Sequence, residues 1–278
     1  ICALSYYNAY GWILCSFFFF CLTILLCREE AFGQRVKFLF SRGLAITGVT
    51  LGLCGWWFIR NGLLYNGDIL GRKASAACAE KYALKDYRPS NYPTPQKLGW
   101  TWKDILIYQD PGWYHNWVVT VCVSFIGTFG LMEIYMPYTV SKLYMVFFAA
   151  GILSTFFVKG MYRLKKRMYV TQKKTISTDT WKIKTKVISR KWNKQGIFHL
   201  IMILAILIPV GLFMDYVYYS DNQAQGRYII PALYPLMYFV TVGWDNILTR
   251  VVRNEKIRSW IYRVLTALFV IAPFACWA

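Results

Sequence analysis

Two arginines stand where apolar runs give way to polar sequence. Arg60, in Trp56-Trp57-Phe58-Ile59-Arg60-Asn61-Gly62, follows one run, and Arg227, in Gln225-Gly226-Arg227-Tyr228, opens another. A guanidinium at the edge of hydrocarbon either snorkels to headgroups, pairs with an acid, or grips an anion such as a phosphate with its planar fork. Three acids occur in the polar segments near these positions: Asp68, Glu133 and Asp221. Each is a candidate general base towards a hydroxyl. Asn61, Gln225 and Tyr228 add an amide or a phenol beside the arginines, and Arg72 and His115 lie in the same polar regions. None of these groups has the fixed spacing of a catalytic motif, so the snorkelling arginine and the phosphate clamp both stand at this point.

Composition decides the class of protein that positions them. Of 278 residues, 57% are hydrophobic, 19% aromatic and only 16% charged. A soluble domain carries about 25% charge. The apolar residues come in blocks long enough to cross a bilayer, so the fold class expected is all-α, a polytopic transmembrane helical bundle. The net charge of +19 then reads as a cytoplasmic excess of Lys and Arg rather than a nucleic-acid footprint. Six spans are expected, at 9–26, 39–59, 141–158, 197–214, 228–246 and 260–277. Gly48 and Gly52 in the second stand four apart, a spacing that lets helices approach closely.

Loop charge sets the sides. The segment 159–194 holds 13 Lys/Arg against one acid, Asp179, and the positive-inside rule places the loop 159–196 in the cytoplasm. The links 28–42 and 250–263 are basic as well. All three share a side only if the segment 113–140 does not cross, so it is expected to be re-entrant or interfacial. Gly127, Gly130 and Pro137 interrupt its apolar run, as broken backbone lining a cavity would require. The resulting division is 1–59 with two transmembrane helices, 60–112 as an extracytoplasmic region with short helices, 113–140, and 141–278 with four transmembrane helices. Anionic membrane lipids are the expected partner of the basic loop, at about 1 kcal/mol per charge near the surface. No nucleic acid is expected.

Eight cysteines include no CxxC pair, and His115 and His199 are the only histidines. The thiols read as small hydrophobes, with no structural zinc site. The first residue is Ile1 and no charged leader precedes the first apolar run, so a piece of a longer chain is expected.

Arg60-Asn61-Gly62-Leu63-Leu64-Tyr65-Asn66-Gly67-Asp68 resembles the segment that follows a transmembrane helix in large bacterial membrane proteins. Ser124-Phe125 with Gly127, Phe129, Gly130 and Pro137 resembles their next element, and Gln225-Gly226-Arg227-Tyr228-Ile229-Ile230-Pro231 resembles their sharpest signature. These proteins are similar to GT-C glycosyltransferases that use polyprenyl-phosphate sugars. The resemblance implies a GT-C-like bundle in a bacterial plasma membrane. Its donor would be a polyprenyl-phosphate-linked sugar, and its acceptor a cell-envelope glycan or lipid-linked saccharide. It also implies cavity roles for Arg60, Asn61, Asp68, Gln225, Arg227 and Tyr228, and room for a divalent cation. Ile69 stands where the similar segment often has proline. The competing reading is a lipid-linked glycan transporter or a non-catalytic membrane subunit. The scarcity of ionisable groups inside the spans weighs against ion-coupled transport.

Overall fold

The computed structural model describes residues 10–113, 115–129, 134–174 and 183–277. The chain begins with helices α1 (Tyr10–Cys27) and α2 (Phe32–Leu64), then the short helices α3 (Arg72–Tyr82) and α4 (Trp102–Ile107). Helix α5 (Trp117–Ile126) leads into a two-residue ladder, β1 (Thr128–Phe129) with β2 (Ile134–Tyr135), and then α6 (Tyr138–Thr155). Strands β3 (Lys165–Lys174) and β4 (Ile183–Trp192) precede α7 (Lys194–Tyr219), a tight 3-10 turn at Gly226–Ala232, α8 (Leu233–Val251) and α9 (Glu255–Trp277).

Among the described residues, α1, α2, α6 and α7 are long and apolar enough to cross a membrane. The architecture is a multi-spanning all-α bundle to which two small hairpins are appended. The other two expected spans are helices too, each with a polar end: α8 closes on Asp245, Asn246 and Arg250, and α9 opens on Glu255, Lys256 and Arg258. In α2, Arg42 and Arg60 bracket an uncharged stretch whose rise is about 27 Å, close to the roughly 30 Å of bilayer hydrocarbon. Gly48 and Gly52 face open space there.

Close approach holds the bundle together where side chains are absent. Helices α6 and α8 meet at Gly151 and Gly243, and a Cβ on Gly243 would fall 1.7 Å from the Gly151 carbonyl oxygen. Beside that contact the Trp244 indole stacks on Phe147, with ring centroids 4.5 Å apart, and donates to the Phe147 carbonyl at 3.0 Å. Helix α1 lies on α7, with Gly11 against Ile208, and its Trp12 indole donates to the Pro231 carbonyl at 2.7 Å. Buried His199 of α7 ties two neighbours, one ring nitrogen bonding the Met161 carbonyl and the other the Tyr238 hydroxyl.

Several boundaries differ from the sequence expectation, among them α2, which runs over Phe32–Leu64 rather than 39–59. The span expected from 228 begins its α-helix at Leu233, because Pro235 would otherwise fall beyond the first turn. There its missing N–H and its ring would break the hydrogen-bond ladder. The residues before it wind as the tighter 3-10 turn instead. The basic loop is a hairpin rather than plain loop, paired from Lys165↔Trp192 to Lys174↔Ile183. Its Val, Ile and Thr content favours strands. Asn193 and an ion pair between Lys191 and Glu29 fix its base.

Within 113–140 the described residues form α5, the β1–β2 ladder and the start of α6. Ten residues of helix rise about 15 Å, half of a bilayer core. Asn116 caps α5 by accepting from Val119 N at 3.0 Å, and Gly127 ends it in extended backbone.

Candidate functional site

The link 220–225 between α7 and the 3-10 turn is held on three sides. Gly226 N donates to the Ser124 hydroxyl of α5 at 2.6 Å, and Ser124 Oγ also lies 3.3 Å from the Ala224 carbonyl oxygen. The backbones are so close that a Cβ on Gly226 would sit 2.2 Å from Phe125 N. Below, the Tyr228 ring is buried and stacks on Phe213 at 5.3 Å, while its hydroxyl donates to Gln223 Oε1 at 2.9 Å. Across, the loop 88–97 docks through Gln96 N, which donates to the Tyr218 carbonyl at 3.2 Å, and through Tyr92 Oη, which donates to Asp221 Oδ1 at 2.6 Å.

These contacts enclose a cleft of about 810 Å³. Six aromatic residues line it: Tyr87, Tyr92, Trp113, Tyr135, Tyr216 and Tyr219. Its polar lining includes Asp110, Asp221, Asn222, Gln223, Gln225 and Lys97. Asp221 accepts from Tyr92 and from the Gln223 amide. Asp110 accepts from Gly112 N at 2.9 Å and from the Tyr108 hydroxyl at 3.3 Å. Burial pushes the Tyr92 phenol well above its ordinary value, and its hydrogen bond to Asp221, together with the nearby charges, pushes it further. The hydroxyl therefore stays protonated and Asp221 keeps its donor. The Lys97 ammonium donates to the carbonyls of Pro89, Ser90 and Tyr92 at 2.8, 3.0 and 3.0 Å.

Of the residues singled out in the sequence, Asp221 and Gln225 come together in this cleft, while Tyr228 supports its floor through Gln223. Arg60 and Asn61 line another cleft, of about 740 Å³, between the end of α2 and α3. There Asn61 is buried and donates to the Ile69 carbonyl at 3.2 Å, and Asp68 accepts from Ala74 N at 3.0 Å in the first turn of α3. Asp68 thus serves as a cap for a helix start. The Arg60 guanidinium lies 5.4 Å from the Trp57 ring centroid. Arg227 is exposed and lines neither cleft; its guanidinium lies 5.3 Å from the Tyr228 ring. Glu133 lies outside the described residues. The two arginines therefore do not meet in either of these clefts.

Asp110, Tyr92, Lys97 and Trp113 were not singled out from sequence. Their signal was the turn Asp110-Pro111-Gly112 and the density of Tyr and Trp between 82 and 113. Among the described residues no group of three or more His, Cys, Asp or Glu is placed to hold a metal ion. Asp110 and Asp221 are the carboxylates among the described residues that line the cleft.

The cleft and the helices around it define a membrane protein with an aromatic, carboxylate-bearing cleft at the end of a membrane-length helix. No protein-family model, curated protein or solved structure matches the chain.

Proposed function

We propose that this is a glycosyltransferase-like protein that moves a sugar from a polyprenyl-phosphate donor to a cell-envelope glycan or lipid-linked acceptor, on the outer face of a bacterial plasma membrane. The observation that carries the reading is the cleft beside the link 220–225, where two carboxylates and three side-chain amides stand among six aromatic residues. Aromatic faces pack on the apolar faces of sugar rings, and carboxylates and amides bond ring hydroxyls.

In this reading the acceptor hydroxyl oxygen bonds to the anomeric carbon as that carbon's bond to phosphate oxygen breaks. The electron pair leaves with the polyprenyl phosphate, and the acceptor proton passes to a carboxylate. Asp221 is assigned as that base, oriented by Tyr92 and Gln223. The exposed Arg227 is assigned to the lipid phosphate. The GT-C likeness of the Gln225–Pro231 segment supports the same assignment.

The test is release of polyprenyl phosphate from short-chain polyprenyl-phosphate sugars by the full chain in nanodiscs. Turnover is expected in the wild type. In Asp221→Asn it should fall about 100-fold or more while donor binding is kept. Binding without wild-type turnover would leave a carrier or a non-catalytic subunit. Absence of donor binding would sink the lipid-phosphate reading altogether.

A further inference from the structure

We infer that the cleft reads its sugar through the sugar's hydrogen-bond donors, taking neutral or ammonium-bearing rings and turning away rings that carry a carboxylate. This rests on the proposal that the cleft is a saccharide site. The inference comes from what its lining has left to offer. Asp221 uses one site on each oxygen, for Tyr92 and Gln223, and Asp110 one on each, for Gly112 and Tyr108. A carboxylate has about four acceptor sites, so both acids keep capacity for a ligand. Two further acceptors, Asn222 Oδ1 and Gln225 Oε1, are buried with no donor at all. A buried acceptor without a partner is costly, and both residues line the cleft, so a turn of either amide towards it would gain a donor from a ligand hydroxyl or ammonium.

Positive charge in the lining is already engaged. Lys97 is the single cation among the described lining residues, and an ammonium has three N–H donors, matched by the three carbonyls that Lys97 contacts. A ring carboxylate entering the cleft would meet two negative side chains and no unengaged cation among the described lining residues. A neutral ring of the same shape would meet the same carboxylates as acceptors for its hydroxyls. The discrimination is therefore repulsive as well as attractive.

The experiment compares methyl glucoside, methyl glucosaminide with its free amine, and methyl glucuronide. They are nearly isosteric, and the three affinities are measured by saturation-transfer NMR on the full chain in nanodiscs at neutral pH. The first two are expected to bind at least tenfold more tightly than the glucuronide. Asp110→Asn should shrink that gap several-fold. Gln225→Leu should weaken the glucoside about tenfold while the melting temperature shows the chain still folded. Equal affinities, or a tighter glucuronide, overturn the inference, as does a gap that Asp110→Asn leaves untouched. Turnover of the lipid donor without any charge preference would remove this inference and leave the transfer reading standing. Charge preference without turnover would do the reverse.

Discussion

Replacing Gly226 with alanine drives a methyl group into the backbone of α5. The new Cβ would lie 2.2 Å from Phe125 N, 2.4 Å from its Cα and 2.6 Å from its Cβ. These are main-chain atoms, or one bond from them, so no rotamer change relieves the clash. The two segments must part by roughly 1 Å to restore normal contact. That separation stretches the 2.6 Å bond from Gly226 N to Ser124 Oγ beyond hydrogen-bonding range. Overpacking costs about 1–3 kcal/mol, and a buried N–H left without a partner about 1–3 kcal/mol more. The sum is roughly 2–6 kcal/mol, which corresponds to a melting shift of about 5 °C or more for a chain of this size. The same movement carries Gln225 away from the cleft, so saccharide affinity is expected to fall with stability. The assay is thermal unfolding in nanodiscs beside Gly211→Ala, a helical glycine on α7 with nothing within 4 Å, which should be neutral or slightly stabilising. A Gly226→Ala protein that melts with the wild type would refute the close-approach argument.

Gly243→Ala is expected to separate α6 from α8, since its Cβ would meet the Gly151 carbonyl at 1.7 Å; engineered cysteines across that contact should lose their cross-linking yield. Arg227→Ala and Arg227→Lys are both expected to lower donor affinity about fivefold, a contact of about 1 kcal/mol at an exposed site. Full rescue by lysine would mark a merely snorkelling arginine. The raised Tyr92 pKa makes its neutral form a property of the fold. Its stabilisation is complete below the unfolded value of 10.0 and is lost as pH rises from there towards the folded value. Tyr92→Phe should therefore lose melting temperature less steeply than wild type above about pH 10. Replacing Lys165, Lys166 and Arg167 with glutamine is expected to weaken binding to anionic vesicles, by up to about 3 kcal/mol, and to spare binding of neutral sugars.

The helices that span were legible because apolar blocks of membrane length have few other uses. Their ends were less so. The start of α8 depended on Pro235, a single residue whose missing N–H outweighs the apolar pattern running through it. The hairpin of the basic loop was hidden by its charge: Lys and Arg dominate the segment and mask the strand-forming residues between them. Asp68 shows why an acid beside a boundary arginine is weak grounds for catalysis. A carboxylate four residues before the first residue of α3 finds a backbone N–H, and the Asp68 to Ala74 bond satisfies it.

The cleft itself could not be read from spacing, because its parts are distant in sequence. Tyr92 and Asp221 are 129 residues apart and meet through one hydrogen bond. What joins them is the packing of the link 220–225, fixed by Gly226 against Phe125 and by the Tyr228 ring against Phe213. The Gln225–Tyr228 signature thus has a physical division of labour. Gln225 lines the cleft, Gly226 permits the contact that holds it there, Tyr228 anchors the turn, and Arg227 alone is exposed. Gln225 and Arg227 are two residues apart, at most about 7 Å along an extended backbone, a span comparable with one sugar ring and its glycosidic phosphate. On the proposed reading, a lipid phosphate held at Arg227 would have its sugar within that span of Gln225. On the proposed reading, that geometry, rather than a pair of arginines meeting across the outer surface, is what would present a lipid-linked sugar to the cleft.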